Sequence, residues 1–143
     1  MQTESRKLPR ILLAEDQAAT RDAIAAFLLR RHKDRCELIG TVADGMTLIS
    51  ETIRLAPDIA VVDIAMPGLN GVAATAELTR RNCQTKVIML TMYWEPEFQR
   101  AAFEAGAAGF VLKHRMVTDL PLAIEAALRG ERFVSPIETV PRK

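Results

Sequence analysis

Ile59-Ala60-Val61-Val62-Asp63-Ile64-Ala65-Met66-Pro67-Gly68-Leu69-Asn70-Gly71 is the stretch on which the fold turns. Its first four residues are apolar without alternation and β-branched at three positions, which suits a strand covered on both faces in a parallel sheet. Asp63 ends the run. Pro67, Gly68, Asn70 and Gly71 supply turn chemistry, and an alanine-rich helix follows to about Arg81. A doubly covered strand that feeds a helix is half of a βαβ unit, so the same order is expected on either side of it.

The flanking sequence repeats that order. Ile11-Leu12-Leu13-Ala14 is an apolar run too short for a helix and reads as the first strand. From about Ala18 to His32, Ile24, Phe27 and Leu28 recur at helical spacing, with Arg21, Arg30 and Arg31 elsewhere on the surface. A strand around Leu38 to Val42 comes next. Asp44 can cap a second helix bearing Leu48, Ile49 and Ile53, which must end near Ala56 because Pro57 disfavours helical geometry before it. Downstream of the decisive stretch, Lys86 to Thr91 makes a fourth strand. Pro96 suits the first turn of a helix that Gly106 ends. Gly109-Phe110-Val111-Leu112 is a fifth strand, and a last helix is expected from near Thr118 to Gly130 with Leu120, Ile124 and Leu128 on one face. Five βα repeats predict a flavodoxin-like, doubly wound α/β parallel sheet of strand order 2-1-3-4-5. The chain divides into a polar arm at 1–8, one domain at 9–135 and a tail at 136–143.

Composition narrows the function classes. The chain has 143 residues, 49% of them apolar and 26% charged, with a formal charge of +1. That size supports a real core without staples, and the balanced charge argues against direct nucleic-acid binding by this segment. Apolar stretches break well before the ~20 residues that span a bilayer, and the polar N-terminus lacks a secretory signal, so a cytoplasmic protein without membrane contact is expected. Cys36 and Cys83 sit in no CxxC arrangement and read as reduced structural thiols. His32 and His114 form no zinc motif and are read as solvent-facing. Met92-Tyr93-Trp94 is the one aromatic cluster of note and a candidate partner surface.

Polar residues gather at the carboxyl ends of the strands, where open α/β sheets bind ligands. Glu15 and Asp16 follow the first strand, Asp63 the third, Thr91 ends the fourth and Lys113 follows the fifth. With the first and third strands adjacent, three carboxylates converge. Such a group repels itself unless a pKa rises or a cation binds, and hard oxygen donors suit Mg²⁺. A carboxylate left free can act as a nucleophile toward a phosphoryl group, with Lys113, the Thr91 hydroxyl and backbone N–H groups beside Asp63 or at Met92 balancing the charge on its oxygens. Singly, each residue reads as a turn, a cap or a surface lysine; together and in order they read as a site.

Glu15-Asp16, Asp63-Ile64-Ala65-Met66-Pro67-Gly68, Thr91 and Gly109-Phe110-Val111-Leu112-Lys113 together resemble a response-regulator receiver of two-component signalling, over roughly residues 9 to 135. Leu90-Thr91-Met92-Tyr93 and Gly130-Glu131-Arg132-Phe133-Val134-Ser135-Pro136 further resemble receivers of the NarL subfamily. These usually precede a helix-turn-helix DNA-binding domain, which is not expected within this chain. The resemblance implies Asp63 as phosphoacceptor, Asp16 and Asp63 as direct Mg²⁺ ligands, Glu15 as a ligand through water, and the Ala65 carbonyl as a further ligand. It makes Thr91 and Phe110 a switch pair, in which the hydroxyl moves toward the phosphoryl group and the ring turns inward. It implies a sensor histidine kinase as partner, dimerisation on phosphorylation, an output domain or partner protein, and control of transcription. The pattern departs from many receivers at Ala65, at the large Met92 and at His114, where a proline is common.

Other classes fit less well. Haloacid-dehalogenase phosphatases and Toprim nucleases want a DxD pair, and Ala65 stands two positions after Asp63. A flavodoxin-type carrier would need a phosphate-cradling loop where Glu15-Asp16-Gln17 would repel a phosphate. A receiver-like module that binds partners without phosphorylation has no need of Glu15, Asp16, Asp63, Thr91 and Lys113 together. The expected activity is that of a phosphoacceptor which assists its own phosphorylation and dephosphorylation, and not that of a turnover enzyme.

Overall fold

The structure is a computed structural model, and it describes residues 8–31 and 34–136. The readings of His32, of the arm up to residue 7 and of the tail from residue 137 lie outside those residues. Strands and helices alternate as β1 (Arg10–Ala14), α1 (Ala18–Arg31), β2 (Glu37–Val42), α2 (Gly45–Leu55), β3 (Ile59–Val62), α3 (Gly71–Arg80), β4 (Lys86–Thr91), α4 (Pro96–Glu104), β5 (Gly109–Leu112), α5 (Met116–Leu128) and β6 (Phe133–Val134). All strand pairs are parallel, in the order β2-β1-β3-β4-β5-β6. The first five strands stand as expected, and β6 adds a sixth beside β5.

Strand periodicity splits the core in two. Leu12, Ala14, Ala60, Val62, Met89, Phe110 and Leu112 face the layer that holds Leu48, Ala74, Leu78 and Ala102 of α2, α3 and α4. Their neighbours Ile11, Leu13, Ile59, Val61, Ile88, Leu90 and Val111 face Ile24, Phe27 and Leu28 of α1 and Leu120 and Ile124 of α5. β3 is buried at all four positions, as a central parallel strand requires. Each fully buried Leu or Ile contributes about 1.5–3 kcal/mol, so the central strands anchor everything at their ends.

Two helix faces are narrower than their sequences suggest. Ile53 and Leu128, expected on the apolar faces of α2 and α5, are about half exposed, at 50% and 49%. On α2 the buried face is filled by Leu48, Ile49 and Thr52. α5 also begins two residues before Thr118, because a 3₁₀ turn at Lys113–Arg115 carries β5 straight into it. The Thr118 hydroxyl instead donates to the Arg115 carbonyl and to Asp119. α2 ends as Pro57 demands, with Ala56 left-handed at φ 47°. Arg10 donates to the Leu55 and Ala56 carbonyls at 2.8 and 3.1 Å, covering groups that a helix end leaves open.

The loop after β3 is clamped from two sides. Asn70 caps α3 by accepting from the Ala73 N–H at 2.8 Å. A Cβ on Gly71 would lie 2.2 Å from the Asp63 carbonyl oxygen, and one on Gly45 would lie 2.1 Å from that of Leu69. Glycine at both positions lets α2 and α3 close on residues 63–71, which fixes where Asp63 points. Among the described residues, no helix is long and apolar enough to cross a membrane.

Candidate functional site

Glu15, Asp16 and Asp63 meet at the carboxyl edge of β1 and β3, with ligand-type oxygens all within 4.8 Å of one another. Glu15 follows β1 directly, and its N–H donates to the Val42 carbonyl at 3.0 Å. The Asp63 N–H donates to the Ala14 carbonyl at 3.0 Å, so Glu15 continues the β1–β2 ladder and Asp63 the β1–β3 ladder. Glu15 and Asp63 are buried, and Asp16 is the most open of the three.

Lys113 reaches across from the end of β5. Its Nζ donates to Glu15 Oε1 at 2.9 Å and to Asp63 Oδ2 at 3.2 Å. Asp63 Oδ1 accepts from the Ala65 N–H at 3.3 Å, and Glu15 Oε2 from the Gln17 N–H at 3.2 Å. The Asp16 carboxylate takes no hydrogen bond among the described residues, so its oxygens remain available.

One ammonium does not neutralise three carboxylates. Burial, with the nearby Glu15 charge, pushes the Asp63 carboxyl up to about 6 even though Lys113 and the Ala65 N–H favour its anion. For Lys113 burial opposes the charged form, but the hydrogen bonds and charges of Glu15 and Asp63 outweigh it and raise its pKa. The surplus negative charge and the all-oxygen donor set fit a hard divalent cation such as Mg²⁺. Glu15, Asp16 and Asp63 are the residues that could hold it.

Thr91 is fully buried at the end of β4, and its Oγ1 accepts from the Tyr93 N–H at 3.1 Å. A hydroxyl bonded in this way keeps its proton for another acceptor. Phe110 is buried in the core beside Met89 and Leu112, at 2% exposure. Tyr93 stacks on Phe98 with ring centroids 4.9 Å apart, while Met92 and Trp94 project outward at 67% and 53% exposure. His114 is exposed, and Cys36 and Cys83 are not joined by a disulfide. Surface cavities of 310 to 590 Å³ lie on other faces of the described residues, lined by residues other than Glu15, Asp16 and Asp63.

Two features escaped the sequence reading. Arg21, taken for a surface residue of α1, donates through Nη1 to the Glu15 and Asp16 carbonyls at 3.0 and 3.4 Å. A cation in the first turn of a helix, where the macrodipole disfavours it, was the signal available. The second is a buried clasp at β6. Ser135 Oγ donates to Asp119 Oδ2 at 2.7 Å and accepts from the Leu112 N–H at 3.1 Å, while Arg115 pairs with Asp119 at 2.7 Å. Burial opposes the Asp119 anion, but the bonds from Arg115, Ser135 and Thr118 win and lower its pKa.

Comparison with known proteins places this geometry. A family model described as the response regulator receiver domain matches residues 11–125. The uncharacterized transcriptional regulatory protein YvfU of Bacillus subtilis is 35% identical over 127 residues, covering 89% of this chain and 62% of the relative. The transcriptional regulatory protein LiaR of the same organism is 33% identical over 122 residues, covering 85% of this chain and 57% of the relative. The chain therefore spans about 60% of the length of these curated relatives. Among solved structures, a LuxR-family two-component response regulator from Aurantimonas sp. SI85-9A1 matches with a TM-score of 0.84 and 32% identity, covering 91% of each chain.

Proposed function

The chain belongs to the response regulator receiver domain family, and on that premise we propose that it takes a phosphoryl group on Asp63 from a sensor histidine kinase. The observation that carries this reading is the Lys113 bridge to Asp63 and Glu15 within a group of three carboxylates. It puts a nucleophilic oxygen beside a cation and a cation-binding edge at once.

The chemistry follows from the residues. An Asp63 oxygen attacks the phosphorus of a phosphohistidine, the P–N bond breaks, and the imidazole leaves with the electron pair. Asp63 is restrained through the β1–β3 ladder and the Ala65 N–H, which limits its motion before attack. Lys113, already within 3.2 Å of Asp63, moves its charge onto a phosphoryl oxygen, and Thr91 turns its free hydroxyl proton onto another. Asp16, Asp63 and the Ala65 carbonyl would hold Mg²⁺ directly and Glu15 through water, and the ion would supply charge neutralisation there. The same groups, with water as nucleophile, make the chain assist its own dephosphorylation.

The output is a change of surface. Drawing Thr91 toward the phosphoryl group alters the bond that holds Tyr93, and Phe110 packs beneath the same region, so these two form the switch. A cytoplasmic role in transcription control, a homodimer on phosphorylation and a linked output domain or partner protein complete the reading, with the regulatory relatives as support.

Intact-protein mass spectrometry after incubation with Mg²⁺ and phosphoramidate or acetyl phosphate tests it. One added phosphoryl mass is expected, absent without Mg²⁺ and absent in Asp63→Asn. An adduct of equal yield in Asp63→Asn would overturn the assignment.

A further inference from the structure

We propose that Arg21 is a positioning residue for the acidic site, holding the backbone at Glu15 and Asp16 so that the Asp16 carboxylate is presented to the cation. The inference rests on the reading that Glu15, Asp16 and Asp63 bind Mg²⁺.

The segment between β1 and α1 is short, and its two acidic residues are restrained unequally. Glu15 is held through its N–H by Val42 and through its carboxylate by Lys113 and the Gln17 N–H. Asp16 has no such hold on its side chain. Where its carboxylate points depends on the backbone, and the Arg21 guanidinium bonds the carbonyls on either side of Asp16, at 3.0 Å to that of Glu15 and 3.4 Å to that of Asp16 itself. The Arg21 N–H also donates to the Gln17 carbonyl at 2.8 Å, so the same residue starts the helix and closes the loop.

The choice of partner matters. Arg21 forms no ion pair with a carboxylate among the described residues, whereas Lys113 bonds two of them. Its guanidinium bonds backbone carbonyls and so occupies no carboxylate oxygen that a cation needs. Its position in the first turn of α1 opposes the helix macrodipole, a cost that the two carbonyl acceptors offset. Both bonds leave the single Nη1, so a lysine, with three donors on one nitrogen but a side chain one atom shorter, replaces them in part.

The test uses the whole chain with Arg21→Gln and Arg21→Lys. Mg²⁺ affinity is read by isothermal titration calorimetry, and amide hydrogen exchange at Asp16 and Gln17 is followed in metal-free protein. Residues that orient a metal ligand typically cost about 10–100-fold in affinity when removed. Arg21→Gln should therefore bind Mg²⁺ at least about tenfold more weakly and exchange faster at Asp16 and Gln17, and Arg21→Lys should recover part of both. A role through charge alone predicts the opposite sign, because loss of a cation beside three carboxylates tightens Mg²⁺ binding. Equal or tighter binding in Arg21→Gln overturns the proposal, as does unchanged exchange. If Arg21→Gln does not fold, the comparison of Arg21→Lys with the unaltered chain carries the test, with unchanged affinity and exchange overturning it. Should the unaltered chain bind no Mg²⁺, the metal reading fails by itself, and this presentation role fails with it.

Discussion

Replacing Asp63 with asparagine should stabilise the metal-free protein at neutral pH. Burial and the Glu15 charge raise the Asp63 carboxyl from an ordinary 3.8 to about 6. The folded chain therefore keeps this proton to higher pH than the unfolded chain, and unfolding releases it between about pH 4 and 6. Stability falls as pH rises across that window, and the ionised form remains a burden above it. At about 1.4 kcal/mol per unit, the rise corresponds to roughly 3 kcal/mol as an upper bound. The amide of Asp63→Asn removes the charge while keeping an oxygen for Lys113, so a gain of about 1–3 kcal/mol is expected above pH 7. For a domain of this size that raises the melting temperature by about 3–12 °C. Urea denaturation in EDTA at pH 5 and pH 7.5 measures it. The unaltered chain should lose stability between the two, Asp63→Asn should lose less, and Mg²⁺ should restore more to the unaltered chain than to the variant. The reasoning is refuted if Asp63→Asn is the less stable protein at pH 7.5 in EDTA.

Two further substitutions probe the framework around the site. Gly71→Ala puts a Cβ 2.2 Å from the Asp63 carbonyl oxygen, so a loss of about 3 kcal/mol or more is expected in urea denaturation, with slowed uptake of phosphoryl by mass spectrometry. Ser135→Ala leaves the buried Leu112 N–H without its acceptor and removes one of the donors to Asp119, which keeps Arg115 and Thr118; a loss of about 1–3 kcal/mol is expected, with faster amide exchange at Leu112.

The fold was legible because each strand and its breaker sit side by side in the chain. β3 with Asp63, and the turn through Gly71, can be read locally, and five such units leave one sheet topology. β6 was not legible, because Phe133 and Val134 become a strand only through β5, to which Ser135 bonds at the Phe110 carbonyl. The start of α5 was misplaced for a related reason: Thr118 has the chemistry of a cap, but its hydroxyl is taken up by Asp119, which Arg115 also holds. At the site, residue types at strand ends located the carboxylates and Lys113. The bonds that orient them, from Arg21 to carbonyls six and five positions back, use backbone atoms that every residue carries, so no residue type announces them.

β5 shows why the acidic site and the segment after α5 belong to one mechanical unit. Its one edge pairs with β4 through Thr91 and Leu112, and its other edge pairs with β6 through Phe110 and Val134. Lys113 follows at once and holds Glu15 and Asp63, while the preceding Leu112 N–H is held by Ser135. On the proposed reading, a lysine drawn onto a phosphoryl oxygen would pull on a strand end with bonded neighbours on both sides. Thr91 stands on one of those neighbours, and the segment that carries Ser135 stands on the other. Because packed strands shift between discrete arrangements more readily than they deform, a change at Lys113 has two routes out, through the β4–α4 loop bearing Met92 and Trp94 and through the Ser135 clasp.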